Sequence, residues 1–334
     1  MEDLLVTLAT GVFFIIIGIG IAVTLMRIED KIYVAGHNGL VGSALVRRLG
    51  QAGYRNLILK TSKELDLRDA VQVKDFFKKE NPDYVFLCAA SCGGVQANIN
   101  NPVGYIQDNL DIQSNVIKNS HDYKVKKLVF VGSAATYPEV GEQPFKENAL
   151  LSNYLSPSNQ FYCIAKIAGI KLCEAYKKEC GDNFISVQPN NIYGPKDKFS
   201  ASQGHVVASL ITKFHYAKKT RSSEVSCWGS GKARRELIYV EDLADALLFV
   251  MNNYDDIEPI NIGVGRDYSI RELAQMVCDV VEYEGKMEWD TTKPEGVPQR
   301  LLDSSKLFSM GWTPTYGLLE GLTATYDYYK LEVN

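Results

Sequence analysis

Four apolar residues, Ile32 to Ala35, run straight into Gly36-His37-Asn38-Gly39-Leu40-Val41-Gly42, and helical periodicity then carries Leu40 to Leu49. Few folds take a strand through G-x-x-G-x-x-G into a helix. Glycine permits the tight turn and lets backbone approach a pyrophosphate closely. The free N–H groups and positive pole of the helix start attract the same anion. Gly36, Asn38, Gly39, Leu40, Val41 and Gly42 are therefore expected to cradle a dinucleotide.

The alternation continues. Leu57–Leu59 reads as a strand, Val71–Phe77 as a helix, Tyr84–Ala90 as a strand buried on both faces and Tyr105–Ser120 as a long helix. Lys127–Gly132, Tyr162–Cys180 and Phe184–Val187 add strand, helix and strand. This order predicts an α/β fold, a Rossmann-type doubly wound parallel sheet with helices on both faces. Past Asn191, prolines at 195, 259, 294, 298 and 314 break the chain into short elements. They suggest a smaller C-terminal substrate-binding lobe, from which Leu237–Val250 and Ile260–Ile262 return to the sheet. The expected division is residues 1–29, 30–190 and 191–334, the middle unit carrying the cofactor.

The second strand ends at Lys60, Thr61, Ser62 and Lys63. An acid there would bond a ribose 2′-hydroxyl, whereas a base favours a 2′-phosphate. Lys60 and Lys63 point to NADP over NAD, unless they simply face solvent. Asp66 and Leu67 follow where an adenine ring could rest.

Tyr162 and Lys166 form Y-x-x-x-K, which puts both on one helix face. An ammonium beside a phenol lowers the phenol's pKa, so Tyr162 is expected to donate a proton to a carbonyl receiving hydride. Ser133, in Gly132-Ser133-Ala134-Ala135-Thr136-Tyr137-Pro138, ends a strand at the carboxyl edge of the sheet, where its hydroxyl can hold the substrate oxygen.

Residues 4–26 are apolar apart from Thr and Gly, and roughly 20 such residues can span a bilayer. Glu2 and Asp3 precede the run, and Arg27 and Lys31 follow it. These flanks predict a single-pass membrane helix with the catalytic part in the cytoplasm. The alternative is an upstream start codon misread on the gene, which leaves a soluble cytoplasmic enzyme. A net charge of -4 argues against a broad nucleic-acid surface. The 7 cysteines and 4 histidines match no metal or disulfide spacing, so free thiols and no metal are expected. Cys88 and Cys92, at a strand end, read as core or pocket lining.

Taken together these residues resemble the extended short-chain dehydrogenases, and among them the GDP-L-fucose synthases. The likeness runs from about Lys31 to near the C-terminus. It rests on Ala35–Gly42, Tyr162–Cys173, Asn191-Ile192-Tyr193-Gly194-Pro195, Cys227-Trp228-Gly229-Ser230-Gly231, Arg234-Arg235-Glu236 and Lys293-Pro294-Glu295-Gly296. The resemblance implies a Ser133, Tyr162 and Lys166 triad, with Lys166, Asn190 and Ile192 also against the cofactor. It makes His205 an acid/base of epimerisation, a task that suits a pKa near neutrality. It assigns Lys213, Trp228, Arg235 and Arg300 to a GDP-sugar. It also implies a homodimer built on Tyr105–Ser120 and Tyr162–Cys180.

Two departures stand out. Ala135 occupies the place of the family's epimerising cysteine, so reduction is expected to survive and double epimerisation is in question. Asn38 and Ser62 stand where arginines often meet the 2′-phosphate. The expected activity is NADPH-dependent reduction of the C4 keto group of a GDP-4-keto-6-deoxy sugar. The alternatives are a reductase without epimerisation, acting on a hexose or heptose, an NAD-dependent UDP- or dTDP-sugar 4-epimerase, and a non-catalytic dinucleotide sensor.

Overall fold

A computed structural model describes residues 25–293 and 296–333. The chain opens with β1 (Ile32–Ala35), α1 (Leu40–Gln51), β2 (Leu57–Ile58), α2 (Ala70–Glu80), β3 (Tyr84–Leu87), α3 (Val95–Asn100), α4 (Pro102–Asp122), β4 (Lys127–Val131), α5 (Gln160–Cys180) and β5 (Phe184–Pro189). Its second half holds β6 (Asn191–Tyr193), α6 (Val206–Thr220), β7 (Glu224–Trp228), β8 (Arg234–Tyr239), α7 (Val240–Asn253), β9 (Ile260–Ile262) and β10 (Asp267–Ser269). The last elements are α8 (Ile270–Val281), β11 (Lys286–Asp290), β12 (Gln299–Arg300), α9 (Ser305–Ser309) and α10 (Leu318–Val333).

Among the described residues six parallel strands form the main sheet in the order β2-β1-β3-β4-β5-β9. Every residue of β1, β3, β4 and β5 is buried, as a strand covered on both faces requires. The doubly wound expectation therefore holds. Strand order reverses between β1 and β3, so the glycine loop after β1 sits at the crevice where such sheets bind ligands.

Local chemistry sets the helix ends. Asp69 caps α2 by accepting from the N–H groups of Val71 and Gln72. Asn101 caps α4 and Pro102 opens it, so this helix starts a turn before the expected Tyr105. Proline fits a first helical turn, where its missing N–H has no partner to lose.

The expectation for Leu237–Val250 needs correcting. Leu237–Tyr239 belongs to β8, which pairs with β6, β10 and β12 in a separate small sheet. Val240–Asn253 is a helix that packs beside α1 over the main sheet. Its apolar residues pack against those of β1, β4 and β5 in the main core. A short apolar run reads alike as strand or buried helix, and here both occur in succession. Ile260–Ile262 does return to the main sheet, beside β5.

The predicted membrane span at residues 4–26 lies outside the described residues except for its last two. Met26 belongs to the folded unit: its side chain is buried in the main core, and its N–H donates to Asn252 Oδ1 at 3.0 Å. Among the described residues no helix is long and apolar enough to cross a membrane.

Candidate active site

At the glycine loop, Gly36 adopts φ +85°, and a Cβ there would stand 2.8 Å from the backbone of Ala89. A Cβ on Gly42 would come within 2.2 Å of Gly36 O, so α1 can lie this close to the turn only without one. At Gly39 an added Cβ would meet only Gly36 O, at 3.4 Å. The middle glycine, Gly39, is thus far less crowded than the other two. Among the described residues no side chain caps α1, and His37 Nδ1 is buried without a partner. Uncapped N–H groups, an open cradle and an orphaned ring nitrogen together fit a dinucleotide.

Around the second strand, Glu64 follows the two lysines. It folds back to accept from Thr61 N at 2.8 Å and Thr61 Oγ1 at 2.7 Å. This acid is thereby occupied, and Lys60 and Lys63 remain the charges at the strand end. Asp66 is held by Arg68, at 2.8 and 2.9 Å, and Leu67 O accepts from Asn115 Nδ2 at 2.9 Å. Asn190 is buried, and its side chain bonds Glu236, Asn191 and, at 3.5 Å, Arg300 O; Ile192 packs on the main core.

Ser133 follows β4 and initiates a short 3-10 turn. Its N–H donates to Gln188 Oε1 at 2.7 Å, and its Oγ accepts from Ala135 N at 3.1 Å, leaving the hydroxyl hydrogen to donate outward. Tyr162, on the first turn of α5, faces it. Burial pushes the phenol far above its usual pKa, and the neighbouring Ser133 hydroxyl offsets part of that. The expected acidifying ammonium is therefore not what governs Tyr162 in this state. Lys166 donates instead to Val131 O at 2.8 Å and lies over the Phe130 ring. Burial holds Lys166 down at about 8. Ser133, Tyr162 and Lys166 are together at the carboxyl end of β4, as their spacing predicted.

Cys92 lies near Tyr162 and Lys166, and burial raises its thiol above the usual value. Asn109 fixes the loop, accepting from Ser91 N at 3.0 Å and donating to Ser91 O at 2.8 Å. Gly94 N donates to Gln203 O at 3.2 Å and so ties this loop to the one carrying His205.

His205 starts α6, with Nδ1 3.3 Å from Asp197 Oδ1. The Asp197 side chain is 3% exposed, and its backbone follows Gly194-Pro195 in a tight turn that no motif marks in the sequence. Burial alone would lower the imidazole pKa, but the bond to Asp197 and its charge outweigh that and raise it. An Asp197→Asn substitution should shift the His205 titration to lower pH while leaving the fold intact. Proton NMR of the imidazole across neutral pH checks this, and an unshifted titration would contradict it.

The residues expected to meet substrate fall into two pairs. Lys213 donates to Ser226 O at 3.0 Å and sits 5.0 Å over the Trp228 ring, in a groove of about 670 Å³ beside α6. None of Ser133, Tyr162 and Lys166 lines that groove. Arg300 is buried, donates to Pro138 O at 2.9 Å and covers the Phe145 ring. Its guanidinium is held below the usual value, first by burial and then by the like charge of Arg235. Two neighbouring guanidinium groups that repel one another are suited to an anion between them.

Residues 32–263 match the model of the NAD dependent epimerase/dehydratase family. The chain belongs to that family. Among its relatives, GDP-L-fucose synthase 1 of Arabidopsis thaliana is 50% identical over 303 residues, covering 91% of this chain and 94% of that protein. A GDP-6-OMe-4-keto-L-xylo-heptose reductase from C. jejuni superposes with TM-score 0.88 at 39% identity, over 92% of this chain and 99% of that one. The GDP-mannoheptose C4 reductase of Campylobacter jejuni, solved with NADP bound, gives TM-score 0.84 at 40% identity, over 91% and 99%. Within the NAD dependent epimerase/dehydratase family, then, this chain stands beside proteins named for GDP-linked sugars.

Proposed function

We propose that this chain is an NADPH-dependent reductase of the C4 keto group of a GDP-linked 4-keto-6-deoxy sugar, serving nucleotide-sugar biosynthesis. The observation that carries the reading is the Tyr162 phenol set beside the Ser133 hydroxyl at the carboxyl edge of the sheet. The names of the similar proteins, one solved with NADP, support the substrate class and the cofactor.

NADPH supplies the hydride when bound, with the residues of the glycine loop, Lys60 and Lys63 holding it. Ser133 donates its hydroxyl hydrogen to the C4 oxygen and fixes the carbonyl. Tyr162 gives its proton to that oxygen as the carbon gains hydride, so the ketone becomes a secondary alcohol. Lys166, one helical turn further along α5, supplies the positive charge that favours the phenolate left behind, although in this state its ammonium donates to Val131 O. Arg235 and Arg300 hold the diphosphate, and Trp228 with Lys213 forms a second contact to the nucleotide sugar.

A closer reading concerns epimerisation. His205, backed by Asp197, is a competent acid/base for a proton next to the carbonyl, but Ala135 has no titratable group to serve as its partner. This favours reduction with little inversion. Incubating the purified chain with GDP-4-keto-6-deoxymannose and NADPH should yield mainly an unepimerised GDP-6-deoxyhexose. GDP-L-fucose as the dominant product would show that inversion persists without the cysteine. Product formation without net NADPH consumption would instead favour a redox-neutral 4-epimerase.

Two placements complete the proposal. The apolar run of residues 4–26 anchors the chain at a membrane with the enzyme on the cytoplasmic side, Met26 itself being held in the folded unit; the run's length and flanking charges support this. Pairing through α4 and α5 is supported by exposed Val103, Phe161 and Ile164 on these helices. A chain starting at Leu25 should stay active, leave the membrane fraction and show twice the mass of one chain by light scattering. A membrane-bound or single-chain species would count against the anchor or the pairing, respectively.

A further inference from the structure

The structure assigns a cation site to the far end of the same helix pair. His121, in the last turn of α4, and Cys180 and Asp182, at the end of α5, bring one imidazole nitrogen, one thiol and one carboxylate oxygen within 4.8 Å of one another. His121 Nδ1 lies 2.6 Å from Asp182 Oδ2, and its ring packs 5.0 Å from that of Tyr176, so the imidazole is already oriented. Gly181 between Cys180 and Asp182 takes φ +74°, a left-handed cap that folds Asp182 back toward the helix end.

A second observation points to a cation. α4 and α5 lie side by side and lead into the adjacent parallel strands β4 and β5. Their carboxyl ends therefore stand together, and both negative dipole poles converge on these three side chains. Two of the nearby lysines are committed elsewhere: Lys118 to Asp122, and Lys177 to Asn183 at 3.1 Å.

Nitrogen, sulfur and oxygen donors together suit a borderline divalent ion of the zinc class, with water completing a tetrahedron. We infer that His121, Cys180 and Asp182 bind such an ion and clip the ends of α4 and α5 together. Binding takes the proton from the Cys180 thiol, leaving a thiolate on the metal. No spacing motif announced the site, because His121 comes from a different helix. Cys180 lies about 27 Å along α5 from Tyr162 at the usual rise of a helix, so the site is separate from the chemistry proposed above.

Cobalt(II) titrated into the full chain is the test. A near-ultraviolet thiolate-to-cobalt band and the visible bands of a tetrahedral ion should appear and be erased by zinc. Cys180→Ser and His121→Ala should each weaken binding by more than roughly 10- to 100-fold, while Cys92→Ser keeps both bands. Circular dichroism checks that the variants fold. Zinc should also raise the melting temperature of the parent chain and not of Cys180→Ser. No thiolate band, or a band that survives Cys180→Ser, overturns the assignment. Reductase activity bears on neither result.

Discussion

Tyr162→Phe should lower the rate of keto-sugar reduction by about 10²- to 10⁴-fold, the usual worth of a positioned proton donor. That corresponds to about 3–5 kcal/mol of barrier. The phenyl ring keeps the packing of the first turn of α5 and removes only the hydroxyl that faces Ser133. NADPH binding and melting temperature should therefore hardly change, which separates a chemical role from a structural one. Burial keeps the phenol protonated far past neutrality, so the acid is present at every working pH. Lys166 is the group that titrates within reach: burial holds its ammonium at about 8, below its usual value. The charge is full below that pH and is lost above it, so the reduction rate should fall as pH rises through about 8. A single-turnover pH profile reads this limb, and a profile flat to pH 10 would contradict the role given to Lys166.

The second large effect is on stability. Glu236 is fully buried and gathers four donors. It accepts from Val264 N and Gly265 N at 2.7 Å each, from Leu302 N at 3.0 Å and from Asn190 Nδ2. These donors come from β9's exit, the segment after β12 and the end of β5, so one carboxylate joins the main sheet to the small one. Glu236→Ala would leave them all without an acceptor. At about 1–3 kcal/mol for each stranded buried donor, the three backbone groups alone account for on the order of 3–9 kcal/mol. A domain has about 5–15 kcal/mol in total, so Glu236→Ala should be largely unfolded. Glu236→Gln keeps one acceptor oxygen but turns an amide toward two donors, and should fall between. Urea denaturation followed by circular dichroism ranks the three; equal midpoints for Glu236→Ala and the parent would remove the hub from the description.

Glu236 also marks where sequence reasoning stops. It stood in a matched block, Arg234-Arg235-Glu236, and the two arginines drew the functional reading. Its partners lie tens of residues away, and no local spacing shows that their N–H groups converge on it. Asp197 and Asn109 are similar cases. The first orients His205 from the irregular segment eight residues before it, and the second clamps the loop of Cys92 from α4; neither contact follows a helix or strand period. In contrast, the glycine loop, Y-x-x-x-K and the serine after β4 were legible because their geometry is local, set by one turn, one helix face and one strand end. The role of Lys166 was only half readable. Helix spacing put it below Tyr162, but not its donation to Val131 O or the dominance of burial over its charge.

Transfer of deuterium from NADPH labelled at the reactive nicotinamide carbon gives the most direct measurement. With GDP-4-keto-6-deoxymannose the isolated GDP-sugar should carry one deuterium at C4, with one NADP formed for each product molecule. A product without label at that carbon, or one formed while NADPH stays unchanged, would contradict reduction at this site.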